Sequence, residues 1–212
     1  MIDSVPPASA EQLISEFRRG EMVLLVLDQS DGGQTGVVAI AAECCEASHV
    51  TFMARQARGL VSLALTEARC EQLNLPPMVD PATSGAVKLS IEASTEIDTG
   101  ISAADRARTV RVAVAPDAKP SDLVQPGHIF PVATLSGGVL IRTGAAEAGV
   151  DLATLAGLTP AAVFAEVLDT HGELADASAL VAFADAHDLR VGRVTDLVDY
   201  RLNHYRTVDL IR

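Results

Sequence analysis

The feature that most constrains the fold of this chain is the interleaving of short apolar runs with segments of helical period. The runs MVLLVLD, VVAIAAE and AAVFAEVLD have the length and apolar character of buried strands, and AVKLSIEAS alternates as a strand does. Leu13, Ile14 and Phe17 recur at the spacing of one helix face. Strands that alternate with helices are typical of a sheet covered by helices. We therefore predict an α+β fold, a layered α/β sandwich, formed by a single domain over residues 1–212.

Local signals mark the ends of several helices. Ser9 lies three residues before Gln12, the spacing of a capping box, and Gly20 follows the helical stretch. Ser102 precedes an acidic residue at the same spacing and predicts the start of another helix. Thr195 is the predicted N-cap of the last helix.

Composition decides what fills the core and which partners are excluded. Hydrophobic residues make up 49% and aromatic residues 3%, so Ala, Val, Leu and Ile must build the core. The formal net charge is -12, and no cluster of Lys and Arg could neutralise a row of phosphates. We therefore expect neither nucleic acid nor a membrane as a partner. Residues 1–12 lack the pattern of a secretion signal and no apolar run could span a bilayer, which predicts a cytoplasmic protein.

A glycine-rich segment, LDQSDGGQTGVV, separates the first two apolar runs. It contains Gly32, Gly33 and Gly36 but does not end in Lys-Ser or Lys-Thr, and a strand rather than a helix follows it. A phosphate-binding loop of the P-loop type needs both of those features. The pattern therefore favours a hairpin connection between two strands.

Three side chains could carry chemistry. His128, in PGHIFP, lies at an irregular turn, where an imidazole can act as acid or base near neutral pH or can be purely structural. Glu166 interrupts an apolar strand, so its carboxylate is either paired or lies on the solvent face of an edge strand. Arg142 precedes a glycine and a predicted helix start, which is a favourable place to bind an anion.

Five long segments carry a resemblance to a known family. They are FMARQARGLVSLALTEARCEQLNLPPMV, TGISAADRARTVR, KPSDLVQPGHIFP, GGVLIRTGAAEAGVDLATLAGLTPAAVFAEVLDTHGELA and VTDLVDYR. Together they resemble the 3,4-dihydroxy-2-butanone 4-phosphate synthase family of the riboflavin pathway. The resemblance implies a single α+β domain that forms a homodimer, with active sites at the subunit interface. Members of that family convert ribulose 5-phosphate into dihydroxybutanone phosphate and formate with the help of a divalent ion, usually magnesium.

The resemblance also assigns roles to residues. A histidine in the PGH motif and a glutamate on a later strand are essential in the family, and they match His128 and Glu166. The arginine that begins the family's phosphate-binding stretch matches Arg142. The backbone that continues this stretch matches Thr143, Gly144, Ala145 and Ala146.

The chain departs from the family pattern at the metal ligands. The family's first loop is acidic, and its arginine, metal-binding glutamate and final aspartate match Gly32, Gly33 and Val37. The second metal ligand of the family, a histidine, matches Ala145, and the threonine beside it matches Ala146. Magnesium prefers side-chain oxygen ligands, which glycine and alanine do not offer. We therefore predict that the chain has no metal site and no cofactor.

These departures favour altered chemistry. We predict a divergent, metal-independent enzyme in which His128 and Glu166 act as acid and base on a carbonyl-containing small molecule. Proton transfer, cyclisation and elimination are the reactions considered, with specialised metabolism as a possible setting. A catalytically silent dimer that binds a ligand or stabilises a partner is one alternative. The other alternative is a true synthase that acts on ribulose 5-phosphate.

Overall fold

The centre of the protein is a seven-stranded mixed sheet with the strand order β4-β5-β3-β6-β2-β1-β7. The computed structural model describes residues 7–30, 32–79 and 86–204. The strands are β1 (Val23–Asp28), β2 (Gln34–Ala41), β3 (Ser62–Thr66), β4 (Ile91–Ala93), β5 (Leu123–Thr134), β6 (Ala161–Glu166) and β7 (Arg190–Arg193).

Helices cover both faces of this sheet. A π-helical turn over Met53–Ala57 continues the second of them. Within the described ranges, no helix combines the length and the apolar character that crossing a bilayer requires. The α-helices of the described residues are α1 (Ala10–Arg19), α2 (Ala47–Phe52), α3 (Glu67–Gln72), α4 (Ala103–Val114), α5 (Ala145–Leu155), α6 (Ala177–His187) and α7 (Val194–His204).

Two apolar clusters lie on opposite faces of the sheet. Because strand side chains alternate, Leu24 and Val26 pack into one cluster, whereas Val23 and Leu25 pack into the other. Helices α2, α3, α4 and α6 contribute to the first cluster, and helices α1, α5 and α7 contribute to the second. The predicted layered α+β sandwich is therefore confirmed.

The glycine-rich segment connects two antiparallel strands, as its pattern indicates. β1 and β2 pair from Val23↔Ala39 to Asp28↔Gln34, which makes the segment a hairpin loop. β6 lies between β3 and β2 in the middle of the sheet. Glu166, the last residue of β6, therefore does not lie on an edge strand, and that alternative is wrong.

The helix ends follow the local signals with one exception. The Ser9 hydroxyl accepts a hydrogen bond from the Gln12 N–H, and Gly20 ends α1 in the left-handed conformation. The Ser102 hydroxyl accepts the N–H of Asp105 at 3.0 Å. Thr195 is not an N-cap, because α7 already includes the residue before it.

Candidate active site

Glu166 and Val37 are direct neighbours at one end of the sheet. They are cross-strand partners in the antiparallel pair of β6 and β2. Both share the face that carries α1, α5 and α7, because Val37 and Phe164 belong to the cluster on that side. The backbone of Gly59 packs tightly behind Glu166: a Cβ on Gly59 would lie 2.2 Å from the Glu166 carbonyl oxygen. This close approach fixes the main chain from which the Glu166 carboxylate projects.

His128 lies at the same end of the sheet as Glu166. β3 runs parallel to β5 and antiparallel to β6, so Ser62 pairs with Phe130 on one side and with Phe164 on the other. His128 and Glu166 each lie two residues beyond these pairs, toward the same end of the sheet. They are separated by two strand spacings, or about 10 Å between their backbones.

An exposed apolar side chain lies at the same end of the sheet. Leu60, just before β3, is 55% exposed, while Arg58 forms a bridge with Val167 and Gly59 packs against Glu166. The partly exposed His128 and Glu166 and the exposed Leu60 are together named the strip. An imidazole and a carboxylate in this strip could exchange protons with a small molecule that contacts both.

Glu92 is a further member of this site, and sequence reasoning missed it. Its Oε1 lies 2.6 Å from Nδ1 of His128, and its side chain is only 14% exposed. Glu92 interrupts the apolar alternation of β4 in the way that Glu166 interrupts β6. That interruption was the available signal, but only the folded structure shows that the carboxylate contacts His128.

The hairpin loop at this end of the sheet is closed by hydrogen bonds among its own residues. The Gln29 side-chain amide donates to the Thr35 hydroxyl at 2.9 Å, and the Gln29 N–H donates to the Gly33 carbonyl at 2.8 Å. The Gln34 amide donates to Asp28 Oδ1 at 2.8 Å. The loop is therefore held by its own side chains.

The predicted loop residues line an open cavity beside this hairpin. Gly32 and Gly33 border a volume of about 460 Å³ together with Leu174 and Asp176. Gly32 has a φ of 85°, which favours glycine at this turn. Val37 is buried, so its side chain supports the sheet and does not line this cavity.

Arg142 lies at the opposite end of the sheet. Its Nη2 donates to the carbonyl of Ala133 at 3.2 Å. Ala133 lies five residues beyond His128 along β5, a separation of about 16 Å at strand rise. Within one protomer, the predicted phosphate-binding stretch is therefore not brought together with His128 and Glu166.

The charge of Arg142 is already compensated within the chain. Its Nε donates to Glu147 Oε1 at 2.9 Å, and Glu147 is only 1% exposed. The same carboxylate oxygen accepts the N–H of Leu135 at 3.2 Å. Because a buried carboxylate needs a partner, Arg142 has a structural role in addition to any contact with an anion.

The residues after Arg142 form the start of α5. Gly144 is the N-cap residue and provides no side-chain cap, so the first turn can present backbone N–H groups to an anion. Thr143 is exposed and Ala145 is partly buried. Ala146 is buried and can contribute only its backbone to a ligand.

A second cavity lies at the carboxyl ends of β3 and β5. It has a volume of about 570 Å³, and Thr66, Thr134, Asp151 and Arg201 are among its lining residues. Arg201 Nη1 lies 2.6 Å from Asp151 Oδ2, so these two charges compensate each other, and Glu67 and Glu71 also line the cavity. Burial raises the pKa of Asp151 above its usual range, although Arg201 and the N–H of Val139 oppose this effect. The acid–base groups of the strip lie outside this cavity.

Comparisons with known proteins identify the family. Residues 11–200 match the family model described as 3,4-dihydroxy-2-butanone 4-phosphate synthase. A synthase of that name from Pseudomonas syringae pv. tomato is 50% identical over 201 residues, which is 93% of this chain and 54% of the relative. This chain belongs to the 3,4-dihydroxy-2-butanone 4-phosphate synthase family.

Solved structures of the synthase family share the fold. A two-domain 3,4-dihydroxy-2-butanone 4-phosphate synthase from A. baumannii is 45% identical with a TM-score of 0.89, over 94% of this chain and 60% of that one. A synthase in complex with two magnesium ions is 33% identical with a TM-score of 0.85, over 93% of this chain and 98% of that one. The chain spans about half the length of the first curated relatives it matches.

Magnesium in a synthase relative raises the question of whether this chain has ligands for it. Among residues 7–30, 32–79 and 86–204, no group of three or more His, Cys, Asp and Glu side chains is placed to hold a metal ion. Gly33 and Ala145, the positions that match the family's metal ligands, offer no side-chain donor. Asp31, in the same loop, lies outside the described residues. These two positions therefore supply no side-chain ligand for magnesium, and no step is assigned to an ion.

Proposed function

We propose that this chain catalyses the reaction for which its relatives are named, the formation of 3,4-dihydroxy-2-butanone 4-phosphate from ribulose 5-phosphate with release of formate. The observation that carries the proposal is that His128 and Glu166 lie at the same end of the sheet, on strands separated only by β3. Identity of 50% to a named synthase, over nearly the whole chain, supports the same reaction class.

The strip supplies acid–base chemistry to a ketose. The imidazole of His128 removes a proton from a carbon beside the carbonyl, and the carbonyl becomes an enediolate. The Glu166 carboxyl, on β6, exchanges protons with the same substrate. The overall reaction divides the sugar phosphate into two products and needs no redox partner. Proton transfer is therefore the main role of His128 and Glu166.

The proposal includes a homodimer with shared active sites. Arg142 and the first turn of α5 lie about 16 Å from His128 within one protomer, which is too far to bind the same small substrate directly. A second copy of the chain can supply these groups. In such a dimer, the α5 amides would bind the substrate phosphate while the strip of the other protomer acts on the carbonyl.

A second candidate function is acid–base chemistry without a metal on a different carbonyl compound. Gly33 and Ala145 support this candidate because they provide no ligand for an ion that would stabilise an enediolate. The same observations fit a silent dimer that binds a ligand without turnover.

Formate production separates these functions. Purified protein is incubated with ribulose 5-phosphate, once with magnesium and once with EDTA, and formate is followed by proton NMR. The proposed synthase produces formate in at least one condition, and His128→Gln abolishes it. Absence of formate in both conditions refutes the synthase proposal. Calorimetry with ribulose 5-phosphate and proton exchange in D₂O then distinguish altered chemistry from silent binding.

A further inference from the structure

Glu92 is the residue in direct contact with the candidate acid–base histidine. Its Oε1 lies 2.6 Å from His128 Nδ1. The Glu92 side chain is 14% exposed, whereas the His128 side chain is 41% exposed. The two ring nitrogens of an imidazole lie on opposite sides, so Nδ1 faces the shielded carboxylate and Nε2 is directed away from it.

An irregularity between β4 and β5 creates this contact. Ile91 pairs with Ile129, but Glu92 pairs with Val124, so the register shifts between two successive residues of β4. The bulged segment is attached to the residue before β4, because the Gly127 N–H donates to the Ser90 hydroxyl at 3.1 Å. Bulges redirect side chains, and this one holds the His128 ring beside Glu92.

A glycine loop holds the Glu92 carboxylate from the other side. A Cβ on Gly100 would lie 1.3 Å from Glu92 Oε1, and the φ of Gly100 is 78°. The Gly100 N–H donates to Asp105 Oδ2 at 3.0 Å, which attaches the loop to the start of α4. Any larger residue at position 100 would therefore displace the carboxylate. The contact between Glu92 and His128 therefore depends on the space that Gly100 leaves for the carboxylate.

We propose that Glu92 is a positioning residue that holds His128 in the Nδ1–H tautomer, so that Nε2 carries the lone pair that acts on the substrate. An ionised carboxylate can only accept hydrogen bonds, so Nδ1 must donate and Nε2 is left as the acceptor in a neutral ring. Glu92 itself touches no substrate.

In the reaction, the C–H bond beside the carbonyl breaks and its electron pair enters the enediolate. The proton moves to Nε2, and Glu92 stabilises the imidazolium until that proton is returned to the substrate or to solvent. A carboxylate with this role is known to orient histidines in other acid–base sites. The catalytic part of this inference rests on the proposed function, whereas the tautomer does not.

Nitrogen NMR tests the tautomer without any substrate. Spectra of ¹⁵N-histidine-labelled protein are recorded at about pH 8, where an ordinary imidazole is neutral. Loss of one set of signals in His128→Gln assigns His128 among the five histidines. Wild-type protein is expected to show a protonated Nδ1 and an unprotonated Nε2. A protonated Nε2 in the wild type, from the other tautomer or from a charged ring, overturns the proposal.

Variants of Glu92 show whether the His128 tautomer changes when the carboxylate is removed. Glu92→Met keeps the chain length but removes the acceptor, so an Nε2–H population of His128 is expected to appear. Glu92→Gln retains an oxygen and is expected to give a smaller change, and it replaces the Met variant if that protein does not fold. Glu96→Met is the matched control, because Glu96 is 73% exposed and pairs with Arg108 on the surface. An unchanged His128 tautomer in both Glu92 variants contradicts the proposal.

Kinetics distinguish positioning from simple packing. Formate production by Glu92→Met is expected to lose about 100-fold in kcat with little change in KM, Glu92→Gln less, and Glu96→Met nothing. A loss confined to KM, or an equal loss in the Glu96 control, overturns the positioning role. If wild-type protein makes no formate, the proposed function fails, while the NMR result still decides whether Glu92 sets the tautomer.

Discussion

The two ends of the sheet place charged groups in different ways. At one end, His128 and Glu166 lie on an exposed strip, and Glu92 supports the imidazole. At the other end, Arg142 is bound to the buried carboxylate of Glu147. The first arrangement leaves polar atoms available for a ligand, whereas the second uses a charged pair to build the fold. Substitutions at the first end should therefore change activity with little change in stability, whereas substitutions of Arg142 should also lower stability.

The largest effect is expected from removal of an acid–base group. His128→Gln and Glu166→Gln should each lower formate production by about 1000-fold, because a positioned acid or base contributes about 10² to 10⁴ in rate. Their midpoints of thermal unfolding should stay close to that of the wild type, since both side chains are partly exposed. Formate NMR and circular dichroism check the two halves of the prediction. A variant that loses activity only because it has unfolded contradicts the assigned role.

A moderate effect on stability is expected at the other end. Arg142→Met leaves Glu147 buried without its cation, which costs several kcal/mol in a fully buried pair. Because the Arg142 side chain is 39% exposed, water compensates in part, and we expect a loss of about 2 kcal/mol. Urea denaturation measures the change.

A double variant provides the control for this loss. Arg142→Met with Glu147→Leu removes both charges, so it should recover much of the stability lost by the single variant. The exposed pair of Arg108 and Glu96 should contribute less than about 1 kcal/mol. If Arg142→Met is as stable as the wild type, the structural role of the second end is wrong.

The smallest effect is expected from a double variant with one substitution at each end of the sheet. Gly33→Glu combined with Ala145→His introduces one donor at each end of the sheet, and we expect weak binding of a divalent ion by calorimetry. Within one protomer the two positions lie at opposite ends, so binding should require a dimer that brings them together. Each single variant is the control. Absence of binding by a dimeric double variant would mean that the two positions do not face each other across the interface.

The sequence predicts those features that depend on neighbouring residues. The Ser9 cap, the Gly20 helix end and the β1–β2 hairpin all follow from contacts within a few positions, and all three are confirmed. The Thr195 cap is wrong because the β7 strand leads directly into α7, and the helix begins two residues earlier than a cap at Thr195 predicts.

Features that depend on strand order could not be predicted in this way. Nothing near Glu166 in the sequence shows that β6 lies in the middle of the sheet. The contact between Glu92 and His128 joins residues 36 positions apart and depends on a register shift. The distance between Arg142 and His128 likewise follows from the length of β5. The sequence therefore identified His128, Glu166 and Arg142 one by one, but the structure was needed to show which of them lie together.

Proton transfer by His128 is the central assignment, and deuterium exchange tests it most directly. Ribulose 5-phosphate is incubated in D₂O with wild-type protein, His128→Gln or Glu96→Met, and the protons on the carbons beside the carbonyl are followed by NMR. Wild-type protein and the Glu96 variant should exchange one of these protons, and His128→Gln should not. Equal exchange by all three proteins, or none by the wild type, would contradict the assignment of His128 as the acid–base group.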